Sequence, residues 1–150
     1  MIQRKQTLFF IQSIFLSLAL LFIPSVKLLL GDKEISLSMV AYEGTDVQTG
    51  GGHSAAVAIN FIILALVSLT VFLFKRRELQ IKLTYVVMLL WLVLAAMILF
   101  CPFTSTTDAI QSHVQVIAPI ICVVGITALF FAQRFIKKDI DLLKSADRIR

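Results

Sequence analysis

Charge is scarce in this chain. Only 15% of its 150 residues are Asp, Glu, Lys or Arg, and four long apolar blocks contain none of them. A proton pump or ion-coupled transporter carries an ionisable side chain at depth, and these blocks offer none. Cysteine occurs twice, as Cys101 and Cys122, which is too few for a disulfide framework or a cysteine-rich metal cluster. Cys101 closes the third block and Cys122 lies inside the fourth, so both are expected to be free thiols. The two histidines, His53 and His113, fall outside the blocks, which excludes a haem gripped between helices by axial imidazoles. No nucleophile and base pair, phosphate-cradling glycine loop, C-x-x-C or H-E-x-x-H appears. The expectation is a protein that is not an enzyme, with no catalytic residue, no cofactor and no metal. A site built from His53, His113, Glu43, Asp46 and Asp108 has ligands of the right chemistry but no known spacing.

What fills the chain is apolar: 59% of it, at a mean hydropathy of +0.93. Leu, Ile, Phe and Val come in blocks rather than at helical or strand spacing, so a soluble core does not account for them. The uncharged blocks run over residues 7–23, 55–74, 83–100 and 114–133. A hydrocarbon layer of about 30 Å needs about 20 residues of helix, and in lipid each span must satisfy its own backbone. Residues 7–23 read as a retained anchor. They are longer than a usual signal-peptide core, and LFIPSVKLLL offers no A-x-A-like cleavage site.

The basic residues give direction. Arg4 and Lys5 precede the first block, Lys75, Arg76, Arg77 and Lys82 separate the second from the third, and six follow the fourth. The alternate connections hold only Lys27 and Lys33. Positively charged loops resist translocation, so both termini are expected in the cytoplasm. The net charge of +5 thus reads as membrane orientation, and no nucleic-acid partner is expected.

The longest outer connection includes EISLSMVAY, whose alternation suggests a short strand. Asp32 can turn the chain before it, and Gly50, Gly51 and Gly52 loosen the return into the second span. Such a strand serves as a docking edge or as a small cap over the helix ends. Within the spans, Gln12, Ser13, Ser17, Asn60, Ser68, Thr70, Gln115 and Thr127 can bond between helices, and Asn60 has the greatest need of a partner. Pro119 and Gly125 are candidate bends in the fourth.

The tail, residues 134–150, gathers Arg134, Lys137, Lys138, Asp141, Lys144 and Arg148 on one helical face. Ile136, Ile140, Leu142, Leu143, Ala146 and Ile149 lie on the other, interrupted by Asp139 and Asp147. One reading is an amphipathic cytoplasmic helix on the inner leaflet, with Arg134, Lys137, Lys138, Lys144, Asp147, Arg148 and Arg150 contacting headgroups or a partner. The other is a solvated continuation of the fourth helix, steadied by Lys137 and Asp141.

At its two ends, MIQRKQTLFF and KKDIDLLKSADRIR, the chain resembles a family of four-span inner-membrane proteins of Bacteroidota classed as a domain of unknown function. The resemblance implies location and topology and carries over no activity. Together these readings give an all-α fold, an integral membrane four-helix bundle forming a single domain over residues 1–150. It has a small extracytoplasmic loop with a short strand and a C-terminal amphipathic cytoplasmic helix. The expected role is a non-catalytic accessory or scaffold subunit of a bacterial inner-membrane or envelope complex. Its contacts would be the lipid bilayer and a membrane-protein partner or a second copy of itself. The alternative is a small-ligand or lipid binding or transport module, working as a homo-oligomer.

Overall fold

The computed structural model of the chain describes residues 3–30, 33–40, 51–73, 76–100, 111–114 and 116–147. Four helices carry it: α1 (Gln3–Phe22), α2 (Gly51–Phe72), α3 (Arg77–Phe100) and α4 (Ile117–Asp147). Each packs against its neighbours in chain order, and α4 closes the ring onto α1. The pairing is antiparallel throughout. Ser17, late in α1, meets Asn60, early in α2, while Gln80 at the start of α3 reaches back to Thr70 near the end of α2. Phe9 of α1 stacks on Phe131 and Phe135 of α4.

Three strands, not all legible in the sequence, form one antiparallel sheet in the order β2-β1-β3: β1 (Val26–Leu30), β2 (Lys33–Leu37) and β3 (Gln111–Val114). The expected four helices with a strand in the outer connection are found, and the described residues add two further strands to make a small sheet. The strand expected over residues 34–42 is found only in part, as β2 ends at Leu37. The β1–β2 ladder runs from Val26↔Leu37 to Leu30↔Lys33. The central strand, β1, also pairs Val26 with Val114, so the two long connections of the chain meet at one end of the bundle.

The helix limits differ from the apolar blocks because backbone geometry, rather than hydropathy, sets them. α1 stops at Phe22, just ahead of Pro24, which disfavours helical geometry in the residue before it. The Leu21 carbonyl in the helix's last turn accepts from the Val40 N–H at 3.1 Å, so the segment after β2 caps α1. Gly51 and Gly52, expected to loosen the chain, instead open α2. Val114 belongs to β3, so α4 begins three residues later, at Ile117, with Pro119 in its first turn, where a missing N–H costs little. Most consequentially, α4 runs unbroken through 31 residues, so the fourth span and the tail are one helix.

The buried positions explain why no helical spacing shows in the apolar residues. On α3 they are Gln80, Thr84, Val87, Trp91, Leu94 and Ile98, alternating steps of four and three. Ala118, Cys122, Gly125, Leu129, Ala132 and Ile136 repeat that step on α4, and His53, Ala56, Asn60, Ile63, Val67 and Thr70 repeat it on α2. A 3.5-residue repeat of this kind is the seam of a left-handed bundle crossing at about 20°. The seam mixes small and polar residues with large apolar ones such as Trp91, Ile63 and Leu129, and large apolar side chains face outward as well. Phe100 is 82% exposed, Phe72 77% and Phe15 67%. An apolar exterior over a seam that also holds Asn60, Thr70, Gln80 and Thr84 is compatible with packing in hydrocarbon.

Three helical segments are long and apolar enough to cross a membrane: His53–Phe72, Arg77–Phe100 and Ile117–Leu142. The apolar part of α1, Gln6–Phe22, is shorter. Two helices come into close contact at Gly125. A Cβ added there would stand 3.0 Å from Cε2 of Trp91, so glycine is what lets α4 lie against the indole. Gly125 thus acts by contact rather than by bending.

Candidate functional site

The ends of the bundle are built differently. At the sheet end, Asn60 is buried and fully engaged. The Ser17 hydroxyl donates to Asn60 Oδ1 at 2.7 Å, and Asn60 Nδ2 donates to the Ser17 carbonyl at 3.1 Å and faces Met39 Sδ at 3.6 Å. Met39 is itself buried, so the segment leaving β2 plugs the space between α1 and α2. His53 is buried there as well and hydrogen-bonds to the Met39 backbone. These contacts lock the cap onto the helices and leave no open polar group on Asn60. Its expected interhelical role is what the geometry gives it.

Other expected interhelical contacts resolve otherwise. Ser68 donates to Leu64 O and Thr127 to Val124 O, each within its own helix, the usual refuge of a hydroxyl with no water nearby. Gln12 is exposed, and Gln115 lies outside the described residues. In place of these, Gln80 Nε2 donates to the Thr70 carbonyl at 3.1 Å and ties α3 to α2. Gln6, Gln80 and Gln133 are all buried, and the hydropathy of their surroundings hid them. For Gln80, its position on the 3.5-residue seam of α3 was the available signal.

The basic end is organised by one ion pair. Arg77 Nη1 lies 2.6 Å from Asp139 Oδ2, with the two side chains only 24% and 14% exposed. Asp139 follows Ala118, Gly125 and Ala132 at intervals of seven, so the seam of α4 itself delivers the carboxylate to the start of α3. The acid that interrupts the apolar stripe of the tail is therefore answered inside the same chain. Ile136 is buried and Ile140 packs on the core, so the tail is docked at least to that residue. Lys137 donates to Tyr85 Oη at 3.1 Å with its ammonium 5.6 Å from the ring centroid, and Arg134 lies 5.4 Å over Phe130. Arg134, Lys137, Lys138 and Asp141 then border an open groove of about 520 Å³ floored by Phe131 and Phe135. Lys144 and Asp147 continue on α4, but their side chains, like Arg148 and Arg150, lie outside the described residues.

A second pocket, of about 340 Å³, opens on the other side of Arg77, between α1, α2 and α3. Phe10, Val71 and Phe72 supply its apolar wall, and Gln6, Thr7, Arg77 and Gln80 its polar one. Gln6 is only 7% exposed, and its Nε2 has no hydrogen-bond partner.

Among the described residues, no group of three or more His, Cys, Asp or Glu converges as a metal site would require. His113 sits on β3 opposite Lys27 of β1, whereas Glu43, Asp46 and Asp108 lie outside the described residues. Cys122 is a free, buried thiol, and Cys101 is outside the described residues.

A family model described as Domain of unknown function (DUF4293) matches residues 2–149, and the chain belongs to that family. No curated protein and no solved structure matches it.

Proposed function

We propose that this family member is an integral protein of the bacterial inner membrane, with both termini in the cytoplasm, that acts as a non-catalytic accessory or scaffold subunit of an envelope complex. The observation that carries the reading is the apolar exterior, where large side chains such as Phe15, Phe72 and Phe100 face outward while Asn60, Thr70, Gln80 and Thr84 sit on the buried seam. That surface suits lipid, and four helices packed in a closed ring leave the spans themselves little to do but hold a position. Its direction is supported by the basic residues. α1 begins and α4 ends where α2 gives way to α3, and Arg76, Arg77, Lys82, Arg134, Lys137 and Lys138 fall at that end, which the positive-inside rule puts in the cytoplasm. The resemblance at both chain ends supports a Bacteroidota source.

The scaffold role belongs to the last turns of α4. Asp141, Leu142 and Ser145 are exposed past the docked part of the helix, joining a charged face to apolar side chains. A chain ended after Ile140 keeps the Arg77–Asp139 pair and every α4 residue described as buried. It should insert at wild-type levels and lose a stoichiometric partner seen by native mass spectrometry in mild detergent. Full retention of that partner by the truncated chain would remove the proposal. A lone oligomer holding a small molecule would instead favour a ligand-binding module.

A further inference from the structure

The pocket between α1, α2 and α3 is walled in part by a buried amide donor that has no partner. Gln80 gives its amide to Thr70 O, which leaves Gln6 Nε2 as the unanswered donor on this wall. A buried amide without a partner is unfavourable, and it lasts where something else completes it. Beside it stands Arg77, anchored from the α4 side by Asp139 through one nitrogen of a guanidinium that has five N–H donors. An amide donor and an arginine fork ask for an anionic oxygen acceptor, and phosphate matches the fork best.

The remaining wall says how such a group would arrive. Phe72 lines the pocket and is also 77% exposed on the outer surface, so the cavity is continuous with the face turned toward lipid. At about 340 Å³ it lies within the size range of small-molecule sites, about 300–1,000 Å³. Basic pockets between helices on the cytoplasmic side are suited to anionic headgroups.

We propose that this pocket binds the phosphate group of an anionic phospholipid. Gln6 and Arg77 donate to phosphate oxygens, while Phe10, Val71 and Phe72 receive the glycerol and the first part of the acyl chain. This rests on the membrane-spanning reading and is independent of the scaffold role. Inorganic phosphate presents the same oxygens without the chain, and the test separates the two sources.

The full chain in mild detergent is titrated, by native mass spectrometry, with phosphatidylglycerol, with phosphatidylcholine of the same acyl chains, and with inorganic phosphate alone. The wild type should prefer phosphatidylglycerol. Gln6→Leu, which removes the unpartnered donor and breaks no internal hydrogen bond, should weaken that binding about tenfold, the size expected for one charge-assisted bond. Its lipid-free melting temperature should hold or rise. The double variant Arg77→Gln with Asp139→Asn, which leaves no lone buried charge, should lose the preference too. Displacement of the lipid by inorganic phosphate supports the phosphate site and assigns it to the free ion. Equal phosphatidylglycerol binding by wild type and Gln6→Leu, or no preference together with no phosphate response, overturns the proposal. Loss of the chain from carbonate-washed membranes would sink the bilayer reading instead, and the inorganic phosphate arm would still decide the pocket.

Discussion

At the sheet end of the bundle, Ser17, Asn60 and Met39 form a neutral cluster that satisfies itself; the basic end is held by charge and keeps a donor in reserve. At the first, Ser17, Asn60 and Met39 exchange their contacts locally, and the backbone of Val40 caps α1. At the second, α3 and α4 are joined by Arg77 and Asp139, and Gln6 waits beside them without an acceptor. A closed polar cluster serves structure, since nothing is left for a ligand to complete. An open one is built as a binding site is. The same fold thus separates a cap from a receptive end, and substitutions at each should be felt at that end alone.

The middle of the bundle should be the exception. Gly125→Val sets a branched side chain against the Trp91 indole, which lies only 3.0 Å from where the first added carbon must stand, and overpacking of this sort costs roughly 3 kcal/mol. It should weaken both ends together, seen as a lower midpoint in denaturant titration with faster hydrogen exchange at Val40 and in the last turns of α4. Exchange confined to one end would mean that the ends are not coupled through the Trp91 contact.

Asp139→Ala comes next. It leaves Arg77 largely buried and unpaired, for an expected loss of roughly 2 kcal/mol, discounted for the partial exposure of both groups. The neutral double variant Arg77→Gln with Asp139→Asn should recover most of that loss, because the cost lies in the stranded charge. Val40 exchange should not move. At the opposite end, Asn60→Leu removes two interhelical hydrogen bonds, worth about 1 kcal/mol at a typical 0.6 kcal/mol each. Here the Val40 amide should exchange faster, while the α4 end stays protected.

Hydropathy makes the helices legible, because an uncharged block long enough to span hydrocarbon has few other structures open to it. It does not place their limits. Val114 is as apolar as Val116, yet it belongs to a strand, since β1 offers it a partner and the helix does not begin until Ile117. Nor does it find the seam. In water a buried stripe is read from Leu and Ile among polar residues; here Gln80, Thr84 and Gly125 are the inward marks among Leu and Phe. Asn60 is legible because an amide amid apolar residues must find a partner. Asp139 reads locally as a break in a stripe, and the pairing that explains it lies 62 positions earlier at Arg77, beyond the reach of any local pattern. Gln6, adjacent to Lys5 and Thr7, looks like part of a polar leader, and only the packing of α2 and α3 turns it into a pocket wall.

The smallest expected effect ranks the contacts within the basic end. Tyr85→Phe removes the oxygen that Lys137 reaches at 3.1 Å but keeps the ring that lies 5.6 Å from its ammonium. Both side chains are exposed, so the lost bond competes with water, and only a small loss of stability is expected. Lys137→Met removes the bond and the cation–π contact together and should cost about 0.5–1 kcal/mol. Either loss should fall well below that of Asp139→Ala, because only the latter strands a charge away from solvent. Should Tyr85→Phe prove as costly as Asp139→Ala, the end would be fastened from its rim rather than from its seam, and Arg77 would be free to serve a ligand alone.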